Sequence, residues 1–317
     1  MLMKLMGDGD SYRIALMITA LGTFFIAFFA LKYFMRLLPK DQGRQFAVNG
    51  ALSEGKPRGA GIVMITAFTL CAALFVPLDA ELLIYLILVY AAMLTGFLDD
   101  AAEKPWGELK KGILDLIIAV GISANYIYHN GTEITVFGRS FEMPAAVFGI
   151  LGIILVWASI NVTNCSDGVD GLCGSLFCVS LYSFMAVSLS ADFNLICVVM
   201  LVTAFAYLWF NCSPSRLLMG DAGSRAMGVF LAVCALKTQR PLLFIPFCIV
   251  LIIDGGLGLL KLSCRRFLGM KRFMENIRTP VHDHMRKNKG WSDTQVVFRF
   301  TIAQIVVSLA ALYLFAK

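Results

Sequence analysis

Residues 143–160 read MPAAVFGILGIILVWASI, an uncharged apolar run, and residues 161–172 continue as NVTNCSDGVDGL. Roughly 20 apolar residues at about 1.5 Å rise cross the hydrocarbon of a bilayer, so the run reads as a membrane-spanning helix. The continuation is polar from its first residue. Asn161, Asn164, Asp167 and Asp170 recur every three residues, which puts them on one face if the segment stays helical. Gly168 and Gly171 let backbone approach a ligand closely. The stretch lacks the later Glu of an EF-hand loop, so a calcium loop of that kind is excluded.

The same alternation of apolar span and polar end recurs along the chain. The 317 residues are 59% apolar and 15% charged, with a mean hydropathy of +0.78, a balance that cannot cover a soluble surface. Ten spans are expected, near 12–36, 59–77, 80–98, 112–129, 143–161, 172–190, 193–212, 222–237, 241–263 and 295–316. The fold class is an all-α polytopic membrane protein, with residues 1–317 as a single integral membrane domain and no fixed-period repeat. Lys4 and Gly7-Asp8-Gly9-Asp10 before the first span do not form a cleavable secretory signal, and the segment is expected to be retained. Nine cysteines without a C-x-x-C pair sit mostly inside apolar runs and read as small hydrophobes.

Lys and Arg divide 21 against 6 between the odd-numbered connections and the tails with the even-numbered ones. The odd loops are therefore cytoplasmic and both termini extracytoplasmic. Lys237 and Arg240, in the eighth loop, dissent. The net charge of +6 follows from this topology and does not indicate nucleic acid. On the outer side, Gly131 to Glu142 carries a weak hairpin signal, with Ile134 and Val136 alternating with polar residues.

Four inner-side motifs carry chemistry. Asp99-Asp100, at the inner end of the third span, are adjacent carboxylates whose repulsion a divalent cation or a shared proton would relieve; alone, they read equally as helix-end acids in water. The second motif is the Asn161–Leu172 segment. Asn211 leads into the third, Leu218-Met219-Gly220-Asp221-Ala222-Gly223-Ser224, whose Asp could otherwise cap a helix. The fourth is Pro280-Val281-His282-Asp283-His284 with Lys289-Gly290-Trp291. Asp283 can hydrogen-bond one imidazole and orient it. Before it, Phe267, Met270, Met274 and Ile277 alternate with Arg265, Arg266, Lys271, Arg272 and Arg278, which predicts a basic amphipathic helix in the interface, suited to anionic lipid headgroups. Carboxylates that hold Mg2+, beside cations that neutralise a diphosphate, suit phosphoryl transfer. No Walker-type loop occurs.

In order, spacing and side, these motifs resemble the polyprenyl-phosphate N-acetylhexosamine-1-phosphate transferases over nearly the whole chain. The Pro280-x-His282-x-His284 ending with Lys289-Gly290-Trp291 resembles the branch acting on muramoyl-pentapeptide substrates. The resemblance implies Mg2+-dependent transfer of phospho-N-acetylmuramoyl-pentapeptide from UDP-N-acetylmuramoyl-pentapeptide to undecaprenyl phosphate. The products would be lipid I and UMP, made at the cytoplasmic face of a bacterial plasma membrane by a homodimer that nucleoside antibiotics target. It implies catalytic roles for Asp99, Asp100, Asp221, His282 and His284, with Asp99 a base for the lipid phosphate and Asp221 the Mg2+ ligand. Asn161, Asn164, Asp167, Asp170, Asn211, Leu218 and Lys111 would bind substrate, Asp170 near the uracil. Asp254 falls at an acidic position of that family. The sequence departs from the pattern at Asp283, where a histidine is usual, at Leu218, where a phenylalanine often stacks on the base, and at Glu103, where a lysine is usual. Residues 55–61, Gly-Lys-Pro-Arg-Gly-Ala-Gly, are a loose version of a Thr-Pro-Thr-rich stretch. Two rivals remain: transfer of N-acetylglucosamine phosphate to the same lipid, and secondary transport, which ten helices with intramembrane acids also fit.

Overall fold

The computed structural model describes residues 9–41, 43, 53–102, 104, 106–136, 138–187 and 190–315. The Lys4–Asp8 stretch, both chain ends and Glu103 lie outside them. The chain is helical almost throughout. In order come α1 (Gly9–Phe34), α2 (Gly61–Phe75), α3 (Ala80–Asp100) and α4 (Glu108–Asn130), then strands β1 (Glu133–Val136) and β2 (Arg139–Glu142). After them come α5 (Ala145–Cys165), α6 (Leu172–Val187), α7 (Ala191–Asn211), α8 (Gly220–Lys237), α9 (Phe244–Phe247) and α10 (Ile249–Leu251). A π-helical turn, Ile252–Gly256, leads into α11 (Leu257–Phe267), followed by α12 (Val281–Lys289) and α13 (Asp293–Phe315).

Among the described residues, six helices are long and apolar enough to cross a membrane, or seven if the bent α9–α11 segment is one span. The protein is therefore polytopic. The other expected spans fall short for physical reasons. α2 and α6 have only 15 and 16 residues, and α8 carries Asp221, Arg225 and Lys237. α8 nevertheless lies deepest: every residue from Ala222 to Leu236 is buried, and α2, α3, α5 and α6 pack around it. A helix enclosed by protein need not be apolar. Gly96 and Gly228 let it be enclosed, since a methyl at either would overlap backbone, of Asp221 and of Ser159–Ile160 respectively. Ser159 Oγ then donates to the Gly228 carbonyl across 2.6 Å.

α3 runs antiparallel to α4 and α8, so its two ends sit in two charged layers. At its start, Glu81 accepts from Lys237 Nζ at 2.8 Å and from Asn130 at 2.6 Å. At its finish, Asp99 and Asp100 meet Lys111 of α4 and the start of α8. The Glu81 end carries the expected hairpin, with Glu133 opposite Glu142 and Val136 opposite Arg139. Thr135 N–H ties it to the Gln239 carbonyl. Lys237 and Arg240, the two dissenting cations, are consumed here: Lys237 by Glu81, Arg240 by the Phe315 carbonyl at the end of α13.

Two expectations are corrected. The span near 241–263 is not one straight helix; it bends by 71° between its two arms. Pro246 lacks an N–H, and Cys248 leaves helical geometry at φ −125°, ψ 18°. Gln304 of α13 covers the break, donating to the Pro246 carbonyl and accepting from Val250 N–H, both at 3.0 Å. The interfacial amphipathic helix expected from Phe267 to Ile277 does not form either. α11 stops at Phe267, residues 271–276 are turns, and Gly269 and Met274 adopt φ of +65° and +51°, which a right-handed helix cannot contain. The helix within this connection is α12.

Candidate active site

The last turn of α3 delivers two carboxylates in different directions. Asp99 pairs with Lys111 and accepts the Trp106 N–H at 2.7 Å. Asp100 pairs with Arg58 at 2.9 Å and accepts the Ala222 N–H at 3.2 Å, so it also tethers the start of α8. Asp221 comes within 3.5 Å of Lys111, and Asp41 within 3.9 Å of Arg58. Two cations thus serve four carboxylates. Burial opposes the Arg58 charge, but Asp100, Asp41 and Asp221 outweigh it and raise the guanidinium above its ordinary pKa. One helical turn inward, Arg225 and Asp115 form a buried ion pair, each supplying the other's counter-charge.

Beside this cluster opens a cavity of about 520 Å³, to which the second, third and fourth inner motifs contribute. α5 ends at Cys165, so Asn164 closes the helix while Asp167, Gly168 and Asp170 ride on the following turn; the four polar residues do not share one helical face. Asn211 acts as a clip: its Oδ1 accepts the Gly171 N–H at 2.9 Å and its Nδ2 donates to the Leu217 carbonyl at 3.0 Å. Both ends of its buried amide are spent on holding the two loops together. Asp170 accepts the Ser215 N–H at 3.0 Å and lies 3.5 Å from Lys56. Leu218 lines the cavity; its backbone pairs with the 57–60 segment through the Pro57 carbonyl and the Ala60 N–H, which brings Lys56 and Arg58 to the cavity wall.

The opposite wall is α12. His282 is 2% exposed and Asp254, in the π turn, is fully buried. Asp254 receives the His282 backbone N–H at 2.7 Å and faces its ring Nδ1 at 2.8 Å. The ring's Nε2 edge rests on Gly168, where any Cβ would collide with it. Asp283, expected to orient an imidazole, does not: its carboxylate is 3.9 Å from His282 Nε2 and 3.5 Å from Arg286. Arg286 is held in turn by Asp293 of α13 at 2.6 Å.

Of the residues expected to act, Asn164, Asp167, Asp170, Asn211, Leu218 and His282 line the cavity. Asp99, Asp100, Lys111 and Asp221 form the adjoining charge cluster. Asn161 and His284 are outside both: Asn161 donates to the Trp157 carbonyl of its own helix, and His284 accepts the Arg278 N–H at 3.3 Å. Lys56 and Arg58 become site residues only in the structure, a Lys-Pro-Arg run between glycines being their sole sequence signal, whereas Arg286 follows the His282–His284 motif directly in the chain. Among the described residues, no group of three or more His, Cys, Asp or Glu side chains is gathered as a metal cage.

Helices of membrane length, closing at one end on a charged cavity, define a polytopic membrane protein with an enzyme-like site. Residues 82–239, from α3 through α8, match the model of glycosyl transferase family 4. Over 96% of its length the chain is 35% identical to the phospho-N-acetylmuramoyl-pentapeptide-transferase of Treponema pallidum (strain Nichols), covering 90% of that protein. The enzymes of the same name from the Wolbachia of Drosophila simulans and from Fervidobacterium nodosum are each 28% identical, over 90% and 81% of the chain. The chain belongs to the family of phospho-N-acetylmuramoyl-pentapeptide-transferases.

Proposed function

We propose that the protein transfers phospho-N-acetylmuramoyl-pentapeptide from UDP-N-acetylmuramoyl-pentapeptide to undecaprenyl phosphate, giving lipid I and UMP in peptidoglycan synthesis. The observation that carries this reading is the junction of two features at one end of the bundle. A cavity lined by Lys56, Arg58, Arg286 and His282 suits a nucleoside diphosphate. It adjoins the carboxylates at the end of α3, where a membrane lipid's phosphate would arrive. In the transfer, an acceptor phosphate oxygen bonds to the sugar-bearing phosphorus and the bond to the oxygen of UMP breaks. Asp99 would take the acceptor phosphate's remaining proton, and Lys111, beside Asp99 and Asp221, would neutralise the incoming charge. His282, oriented by Asp254, and Arg286 would hold the diphosphate as negative charge gathers on UMP. A one-step displacement and a covalent intermediate on an aspartate are both compatible with these positions.

Mg2+ belongs to this proposal. Four carboxylates against two cations leave a local negative excess, and hard oxygen donors suit Mg2+, so the donor set fits. Asp221, with help from the α3 pair, would hold the ion, whose chemistry is to neutralise and polarise the diphosphate. The finer topology is proposed likewise: ten spans, both termini extracytoplasmic and the cavity facing the cytoplasm of a bacterial plasma membrane. In its support, α2, α6 and α8 run between the same two layers as the longer helices, and of the dissenting cations Lys237 is neutralised by Glu81 while Arg240 is bound by the Phe315 carbonyl. A homodimer is proposed from the family resemblance. The test is to incubate purified protein with undecaprenyl phosphate, Mg2+ and either UDP-N-acetylmuramoyl-pentapeptide or UDP-N-acetylglucosamine. UMP and lipid I from the first alone is the expected result; turnover of only the second, or none of either, refutes the reading.

A further inference from the structure

The connection between α11 and α12 builds a second concavity, away from the carboxylate cluster. Residues 261–278 carry six cations, Lys261, Arg265, Arg266, Lys271, Arg272 and Arg278, against one carboxylate, Glu275. The turns that replace the expected helix fold this segment back on α11. Lys261 Nζ donates to the Ile277 carbonyl at 2.6 Å, and Arg265 to the Phe273 carbonyl at 3.3 Å. Three of the cations, Lys261, Arg265 and Arg278, thereby line one open groove with Glu275 and Thr279. None of the three has a carboxylate within ion-pair distance among the described residues; the ion pair in this region is Arg266 with Glu108, at the surface. Arg265 and Arg266 also complement the carbonyl end of α11, but that accounts for neither Lys261 nor Arg278.

Next to the cations, Leu262, Phe267 and Leu268 are each at least two-thirds exposed. In a membrane protein, such side chains beside unpaired cations mark the depth at which acyl chains give way to headgroups. We infer that this groove binds the phosphate of a two-chain anionic phospholipid, its acyl chains lying along the Leu262–Phe267–Leu268 side. Charge complementarity selects the anion, and the exposed apolar rim selects a lipid over a free phosphate. The inference rests on the membrane embedding and not on the proposed reaction. His284, in the first turn of α12, borders this connection: its ring accepts the Arg278 N–H, so it supports the groove two residues from His282.

The test is retention of lipid by the full-length protein in detergent. Native mass spectrometry would follow titration with dioleoylphosphatidylglycerol and, in parallel, dioleoylphosphatidylcholine. The parent should prefer phosphatidylglycerol. At roughly fivefold per cation near a bilayer surface, K261Q/R265Q/R278Q should lose about 100-fold of that preference, R278Q alone about fivefold, and K271Q/R272Q little. An unchanged preference in R278Q overturns the inference even if the triple variant does not fold. Equal loss in K271Q/R272Q would mean a diffuse basic surface and no site. Displacement of the lipid by millimolar inorganic phosphate would mean a free-anion site. Displacement by lower concentrations of undecaprenyl phosphate would assign the groove to the acceptor. Each of these results overturns the inference.

Discussion

Asp254→Asn isolates what the buried carboxylate does for His282. Asp254 accepts twice, from the His282 backbone N–H and from the ring Nδ1–H, at 2.7 and 2.8 Å. An amide fills the same volume but has one acceptor. Its oxygen must take the backbone N–H, because the reverse orientation sets two donors face to face. The NH2 then points at Nδ1, which must become the acceptor, and the ring proton moves to Nε2, the edge against Gly168 and the cavity. A charge-assisted hydrogen bond contributes about 1.5–3 kcal/mol and a neutral one replaces it, so the variant should fold with a stability loss of about 1–2 kcal/mol. Turnover should fall on the order of 10²–10⁴-fold if the imidazole handles charge or a proton on the diphosphate. The assay is UMP release at saturating substrates, with 15N spectra of histidine-labelled protein to read the tautomer. Three histidines in the chain, His129, His282 and His284, make those spectra assignable. A switched tautomer with turnover within about threefold of the parent, under half of the 1.4 kcal/mol that a tenfold change represents, would refute the role given to His282.

Asp221→Asn should abolish nearly all turnover while leaving folding and purification intact; near-normal UMP release would remove Asp221 from the metal site. Gly168→Ala should cost about 1–3 kcal/mol because its methyl meets the His282 ring. Gly168→Ala combined with His282→Ala should regain melting temperature but not activity, and failure to regain it would mean that the glycine is needed for its backbone alone. Asp283→His should stay active, since Asp283 does not orient His282. His284→Ala should impair turnover less than His282→Ala, and an increased Mg2+ requirement in either variant, with full rescue at high metal, would assign the histidines to the metal. Lys237→Met should cost about 3–5 kcal/mol by leaving Glu81 buried without its cation. Adding Glu81→Gln should restore most of that in thermal unfolding; no restoration would mean that the lysine acts through its stem.

The six or seven spans of membrane length, the hairpin and the motif order were legible in the sequence because each is written in neighbouring residues. Uncharged runs such as 143–160 can only be buried, in lipid or protein, and alternation at Ile134 and Val136 with glycines on either side is a local instruction. The Asp99-Asp100 pair, the Asn211–Asp221 segment and His282 announced themselves by being polar at span ends, where polarity is costly unless used. Distance in the chain hid the rest. Nothing near Asp283 reveals that Asp254, 28 residues upstream of His282, is the carboxylate that holds the ring; the adjacent acid was the natural expectation and the wrong one. Lys237 looked like a topological charge until folding placed Glu81, 156 residues away, against it. Arg58 lies in a glycine-rich run with no apparent chemistry and becomes a site residue only when Leu218 pairs with the 57–60 backbone. The periodic apolar and basic residues from 265 to 278 satisfied a helical pattern, yet Gly269 and Met274 turn the segment back on α11. Periodicity records which side chains could share a face, whereas the choice between a helix on the membrane and a folded groove belongs to the tertiary contacts that Lys261 and Arg265 make with the returning carbonyls.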